Sequence, residues 1–280
     1  MTLSASLSPP RHPHAKCFST LGSPEMTWEQ TLDFAQTHQF QGVEIRCLAG
    51  SVVAPANFAQ LLPSPDQFKA ELAERNLAFQ MFGTSAKLLQ RTANELENLL
   101  HFARFADATG CPWLRIFDGG NAQEPLSAAV IAETTEFLTN WEALRQEHGI
   151  KCQLAVETHD AFASLAQTQS AISQLPHFAI LWDTHHTWRF GESLSAYYDA
   201  VKDRTVHYHL KDSVNRPSKR KPFTYVEPGA GEFPWAQLQQ ALGDCPPQGF
   251  LSLEWERHWN PELSPIADVV ASYHRMTAGW

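Results

Sequence analysis

Thr205-Val206-His207-Tyr208-His209-Leu210-Lys211-Asp212 is the stretch from which the fold follows. Alternate residues of a β-strand point to opposite faces, so His207, His209 and Lys211 share one side and Tyr208 and Leu210 the other. The apolar side can pack under helices; the polar side needs an interior that accepts it. Three more segments place an acid or a histidine at the end of an apolar run: Val156-Glu157-Thr158-His159, Trp182-Asp183-Thr184-His185-His186 and Leu253-Glu254-Trp255-Glu256. A helix-like segment separates each from the next. Parallel strands joined by helices would bring all four ends to one mouth.

Counting outward from these segments gives eight strand–helix units. Strands are expected near 16–21, 42–47, 77–82, 113–117, 152–157, 178–183, 205–210 and 250–256. Helices are expected at about 27–38, from 64, and at 92–109, 127–148, 162–175, 193–202, 234–242 and 265–276. Ser64-Pro65 reads as a helix cap with proline in the first turn, and Gly110 and Gly149 read as helix stops. Strict alternation predicts a parallel sheet. Eight units without a strong linker favour a closed (β/α)8 TIM barrel over an open doubly wound sheet. Such a barrel needs about 250 residues, which fits a 280-residue chain as one domain. Residues 16–280 are assigned to the barrel and 1–15 to a flexible lead-in without the apolar run of a signal peptide.

Composition narrows the function. Hydrophobic content of 43% and charged content of 18% read as globular. The net charge of −9 argues against a nucleic-acid partner, which needs a positive surface. No stretch approaches the roughly 18 apolar residues of a membrane span, so no membrane partner is expected. The five cysteines are widely spaced without a Cys-x-x-Cys pair. They read as small buried hydrophobes in a reduced, cytoplasmic compartment.

Glu157, Asp183, His209 and Glu254 supply one side chain from each of strands five to eight. Three carboxylates and one imidazole suit a single divalent metal ion at the C-terminal mouth, Mn²⁺ first, with Mg²⁺, Co²⁺ or Zn²⁺ as alternatives. Without a cation the carboxylates would repel one another. Around them, His159 faces the mouth by parity with Glu157 and reads as a substrate contact or as a structural hydrogen-bonding histidine. Lys211 and Asp212 would orient His209 or contact substrate. Arg46 would hold a substrate carboxylate or hydroxyl, or be braced by Glu44 on the same face. Glu256, on the face of Glu254, reads as a rim partner of Arg257 or a loop group, or as an alternative acid/base group. The basic run 215–221 follows strand seven, where barrel enzymes often bind phosphate; it reads as a solvated loop or as a sign of an anionic substrate. Gly229-Ala230-Gly231 lacks the third glycine of a nucleotide fingerprint and reads as a turn into the next helix.

These motifs, together with Gly42-Val43-Glu44-Ile45-Arg46, Leu114-Arg115-Ile116-Phe117 and Gly229-Ala230-Gly231-Glu232-Phe233, resemble the xylose isomerase-like TIM barrel superfamily in its sugar phosphate isomerase/epimerase branch. The resemblance spans nearly the whole chain. It implies a metal held by Glu157, Asp183, His209 and Glu254, with Glu157 and Glu254 also serving as the catalytic acid/base pair. It implies substrate contact by His186, three residues after the aspartate. The family's substrate-binding arginine falls at Asn215, with Arg216 one residue further on. The activity implied is isomerisation or epimerisation of a sugar or sugar phosphate, by proton abstraction beside a carbonyl through a metal-stabilised enediolate. A dehydratase of the inosose or dehydroshikimate type is the alternative, and a non-catalytic sugar-binding barrel the third. The abasic-site endonuclease branch needs additional histidines after strands three and four, which this chain lacks. Barrels of this kind commonly form homo-oligomers, and the expected partner is a small carbohydrate or polyol-derived molecule.

Overall fold

A computed structural model describes residues 14–243 and 249–280; Cys245 and the start of the expected lead-in lie outside the described residues. Eight parallel strands close into a barrel: β1 Lys16–Ser19, β2 Gly42–Ile45, β3 Ala78–Lys87, β4 Trp113–Phe117, β5 Gln153–Glu157, β6 Ala179–Asp183, β7 Thr205–Leu210 and β8 Phe250–Leu253. Sequential neighbours pair throughout, and β1 closes the ring against β8 through Lys16 opposite Leu251 and Phe18 opposite Leu253.

The connecting helices are α1 Trp28–Thr37, α2 Pro65–Glu74, α3 Glu95–Thr109, α4 Ala128–His148, α5 Leu165–Gln174, α6 Leu194–Val201, α7 Trp235–Leu242 and α8 Ile266–Met276. Their ends follow the sequence chemistry. Thr27 forms a capping box with Gln30, Ser64 caps α2 ahead of Pro65, and Ser127 accepts from Val130 N. Gly110 and Gly149 end α3 and α4 in the left-handed conformation that glycine tolerates best. The outer apolar layer, with Phe68, Phe82, Trp182, Tyr197 and Tyr273, packs helices onto the sheet. A smaller cluster of Met81, Ala155, Ala179 and Leu181 is separate from it.

Several boundaries depart from the sequence pattern. β3 runs on to Lys87, five residues past its expected end. β8 stops at Leu253, so Glu254 and Glu256 stand in the loop beyond it. Glu254 N still donates to Leu210 O at 3.1 Å, which keeps the residue beside β7. Residues Thr184–Phe190, expected as loop, form a short helix because the Asp183 carboxylate accepts from the N–H groups of His185 and His186. An antiparallel ribbon of Asp212–Val214 with Thr224–Val226 interrupts the long loop after β7. No helix among the described residues is long and apolar enough to cross a membrane.

Candidate metal centre

Strand register builds the site. Asp183 on β6 stands beside His209 on β7, which stands beside Ser252 on β8. Glu157 closes β5, and Glu254 follows β8. One ligand atom from each of Glu157, Asp183, His209 and Glu254 lies within 4.8 Å of all the others, and all four residues are buried. The four side chains expected together are brought together.

The orientation of His209 tests whether a cation belongs there. Its Nε2 points at both oxygens of Glu44, 3.0 Å away. Its Nδ1 lies 3.1 Å from Glu157 Oε1, 3.0 Å from Glu254 Oε2 and 3.9 Å from Asp183 Oδ2. Burial lowers the basicity of this imidazole, but Glu254, Glu44 and Glu157 outweigh it and hold the ring protonated well above its ordinary range. In the neutral ring the proton stays on Nε2 against Glu44. Nδ1 then turns a lone pair toward three carboxylates, an arrangement that becomes favourable only with a cation between them. The donor set and its support fit a divalent ion.

Glu44 is the second important group. It accepts from His207 Nε2 at 2.9 Å, from His209 and from Ser252 Oγ at 2.9 Å. It makes no pair with Arg46, contrary to the bracing expected from their shared face. Burial raises the Glu44 carboxyl, and His209 and His207 more than offset that, so it stays ionised.

Lys211 sits among the carboxylates. Its ammonium is 2.8 Å from Asp183 Oδ2 and 3.0 Å from Glu256 Oε1, and it donates to Glu254 Oε2. Tyr225 adds a hydroxyl bond to Glu256 at 3.2 Å. Glu256 therefore belongs to this network, while Arg257 pairs with Glu25 instead. Asp212 faces elsewhere, toward neither His209 nor the mouth. It accepts from the N–H groups of Gly229, Gly231 and Phe233 and from Trp235 Nε1, and so ties down the loop before α7. A Cβ at Gly231 would lie 2.1 Å from Asp212 Oδ1, which is why glycine stands there.

A cavity of about 260 Å³ opens at the mouth, lined among others by Arg46, Arg115, Glu157, His159, Glu254 and Glu256, with Arg220, Lys221 and Trp259 above them. Arg115 was missed as a site residue, although a charge in the middle of the apolar strand Trp113-Leu114-Arg115-Ile116-Phe117 was a usable signal. Its Nε lies 3.3 Å from Glu157 Oε2, and its guanidinium covers the Phe117 ring at 4.0 Å. Burial raises the Glu157 carboxyl, but Arg115 and then His209 bring it below its ordinary value. Glu254 is held low against burial by His209 and Lys211. Asp183 is pushed up to about 6 by burial, with Lys211 opposing.

His159 lines the same cavity, its Nδ1 3.0 Å from Asp160 Oδ1. Burial opposes its protonation, yet Asp160 and Glu157 raise it to about 9. His186 stacks on His159 with ring centres 4.2 Å apart and lines an adjoining pocket of about 490 Å³. Its Nδ1 donates to His159 O at 3.2 Å, which leaves Nε2 as a buried acceptor without a hydrogen-bond partner, 3.9 Å from Asp183 Oδ2. Burial, then His159, keeps this ring neutral. Arg216 is exposed and lines neither pocket; Arg220 and Lys221 of the same loop reach the mouth instead. The antiparallel ribbon carries residues 215–223 as its connection, and it turns Arg216 outward. The described cysteines Cys17, Cys47, Cys111 and Cys152 are free and buried.

No curated protein sequence matches the chain. Among solved structures, it is similar to the probable 3-DHS dehydratase AsbF involved in petrobactin synthesis from Bacillus anthracis, at TM-score 0.76 and 17% identity over 95% of this chain and 99% of that one. It is similar to the IOLI protein with a binding zinc atom, at TM-score 0.74 and 14% identity over 94% of this chain and 96% of that one. It is also similar to 3-keto-D-glucoside 4-epimerase YcjR from E. coli, at TM-score 0.63 and 16% identity over 88% of this chain and 92% of that one. Identities this low carry the fold and leave each activity with its own protein. A family model for the xylose isomerase-like TIM barrel matches residues 32–274, most of the chain. The chain belongs to the xylose isomerase-like TIM barrel family.

Proposed function

We propose that the protein is a metal-dependent isomerase or epimerase that moves a proton at a carbon beside the carbonyl of a small polyhydroxylated substrate, with residues 16–280 acting as one domain. The observation that carries this is the convergence of Glu157, Asp183, His209 and Glu254 donor atoms within 4.8 Å of one another, with Glu157 and Glu254 lining the mouth cavity. Those four would hold one divalent ion, Mn²⁺ by preference, which when bound supplies Lewis-acid polarisation of the carbonyl.

The remaining steps belong to the chain's own groups. Glu157 and Glu254 both line the cavity and both stay ionised despite burial, so either can accept a proton. Arg115 beside Glu157 and Lys211 beside Glu254 orient the two carboxylates. One glutamate removes the proton and the other returns it, to the opposite face in epimerisation or to the next carbon in isomerisation. His186 presents a neutral acceptor nitrogen suited to a substrate hydroxyl. The similar 3-keto-D-glucoside epimerase fold lends support to a carbohydrate substrate.

The test is deuterium uptake in D₂O by Mn²⁺-loaded protein across ketoses, sugar phosphates and cyclic polyol ketones. Uptake into one class is expected, and it should vanish in Glu157→Gln and in Glu254→Gln. Full exchange in both variants would falsify the acid/base assignment.

His159 supports dehydration as the second reading. A histidine held protonated up to about 9 at the cavity wall can donate to a departing hydroxyl. Loss of 18 mass units from the product, abolished in His159→Gln, would select the dehydratase (a water is ~18 Da). A product of unchanged mass selects the isomerase or epimerase.

A further inference from the structure

The buried cations of the site are matched to carboxylates with one exception. Lys211 has Asp183, Glu254 and Glu256; His209 has Glu44, Glu157 and Glu254. Arg46 has none. The residue is 4% exposed and lines the cavity, yet it forms no ion pair among the described residues, and Glu157 and Glu254 act on it only from beyond that distance. Its Nη2 donates to Ser85 Oγ at 3.0 Å, and its Nη1 is buried without any partner. Burial, followed by the like charge of Arg115, lowers it only to about 10, so it remains a cation at neutral pH.

Arg115 stands beside it with spare capacity. Its Nη1 donates to Thr84 O at 2.9 Å, while its Nε makes no hydrogen bond. Gly83 lies between the two arginines on β3. A Cβ there would sit 3.0 Å from Arg115 Nη2 and 3.1 Å from Arg46 Cδ. A side chain at Gly83 would press on both arginines, and glycine leaves that space open. A fold that buries two adjacent like charges, in a chain rich in acids, bears a cost that a ligand of opposite charge would remove.

We infer that the substrate carries a carboxylate, which Arg46 receives together with Arg115 at the cavity floor. This rests on the proposal that the mouth cavity is the substrate site, and it names the substrate class. The guanidinium fork matches a planar carboxylate in a bidentate way. A singly charged group also suits a floor that already holds Glu157 and Glu254 better than a doubly charged phosphate would. The exposed Arg220 and Lys221 at the rim offer the place for a phosphate, away from the floor.

The test compares three probes of similar length by calorimetric titration: D-gluconate, D-glucitol and D-glucitol 6-phosphate. Each is run on Mn²⁺-loaded protein and on protein stripped of metal, which removes chelation as the source of any preference. Gluconate is expected to bind at least tenfold more tightly than glucitol in both forms, with the preference falling below twofold in Arg46→Gln. The phosphate ester should gain nothing from Arg46. The melting temperature of Arg46→Gln should equal or exceed that of the wild type, because no ion pair is lost; a structural arginine would lower it. Should Arg46→Gln fail to fold, the gluconate preference must still shrink in Arg46→Lys, which keeps the charge and loses the fork. Equal affinity for gluconate and glucitol, a preference that survives in Arg46→Gln, or tighter phosphate binding through Arg46 each overturns the inference. The titrations read binding without turnover, so their failure leaves the proton-transfer proposal to its own exchange assay.

Discussion

Replacing Glu44 by glutamine isolates the support beneath the metal centre. The carboxylate accepts from three buried donors, His207 Nε2, His209 Nε2 and Ser252 Oγ, at 2.9–3.0 Å. Glutamine keeps the size and one acceptor oxygen, but its NH₂ group cannot accept. At least one histidine N–H then faces another donor. A hydrogen bond to a charged partner contributes about 1.5–3 kcal/mol. If His209 loses it, the ring either rotates or shifts its proton to Nδ1, the nitrogen that must be free for a metal. Removing an outer support of a ligating histidine costs about 10–100-fold in metal affinity, which is roughly 1.4–2.8 kcal/mol and agrees with the single-bond figure. Mn²⁺ binding followed by the EPR signal of the free ion should therefore show Kd raised by one to two decades in Glu44→Gln. The melting temperature of the metal-free protein should fall by several degrees, at about 2–4 °C per kcal/mol for a domain of this size. A folded variant that binds Mn²⁺ within twofold of the wild type would refute the role given to Glu44.

Mn²⁺ affinity should rise with pH, because a proton must leave His209, which is held above its ordinary 6.5, and Asp183, raised to about 6. Without metal, the stabilisation from protonated His209 is complete below 6.5 and fades as pH climbs through its higher folded value, while that from Glu44, Glu157 and Glu254 is present above 4.5 and fades as pH falls through their lowered values. Calorimetric melts should thus place the stability maximum of the stripped protein between these limits, and a maximum on the alkaline side would contradict the assignment. Lys211→Met strips the ammonium from Asp183, Glu254 and Glu256 and should destabilise the metal-free protein by about 3–5 kcal/mol. Saturating Mn²⁺ should recover much of that loss; an identical loss with and without Mn²⁺ would count against a shared site. Gly231→Ala sets a methyl 2.1 Å from Asp212 Oδ1 and should lower stability by about 1–3 kcal/mol, read as a lower urea midpoint; an unchanged midpoint would show that Asp212 does not clamp the loop.

What the sequence disclosed and what it withheld divide along a physical line. Strand parity is a local property of the backbone, so the inward faces of Glu157, His209 and Lys211 could be read from alternation alone. Helix ends could be read for the same reason, since Ser64, Ser127, Gly110 and Gly149 act within a few residues of themselves. Arg216 rests on the family's offset from His209 alone, and the ribbon of Asp212–Val214 with Thr224–Val226 leaves it exposed in the connection, away from the mouth. Glu256 reads by sequence as a partner of its neighbour Arg257, whereas its partners Lys211 and Tyr225 come from the segment after β7, the strand paired with β8.

Partners are a property of ring closure. Glu44 meets His209 across 165 residues and Ser252 across 208, because β1 closes against β8 and carries β2 to the same interior. No periodicity encodes such a meeting. Charge matching does constrain it once the ring is closed, for each buried ion needs an opposite within reach. Applied to this interior, the requirement pairs His209 with Glu44, Glu157 and Glu254, and Lys211 with Asp183, Glu254 and Glu256. It leaves Arg46 as the cation with no carboxylate in ion-pair contact, Glu157 and Glu254 acting on it only from farther off. A barrel that satisfies its other buried ions and leaves that one open has placed the vacancy beside the carboxylates that would do the chemistry, so the group that fills it would also be held against them.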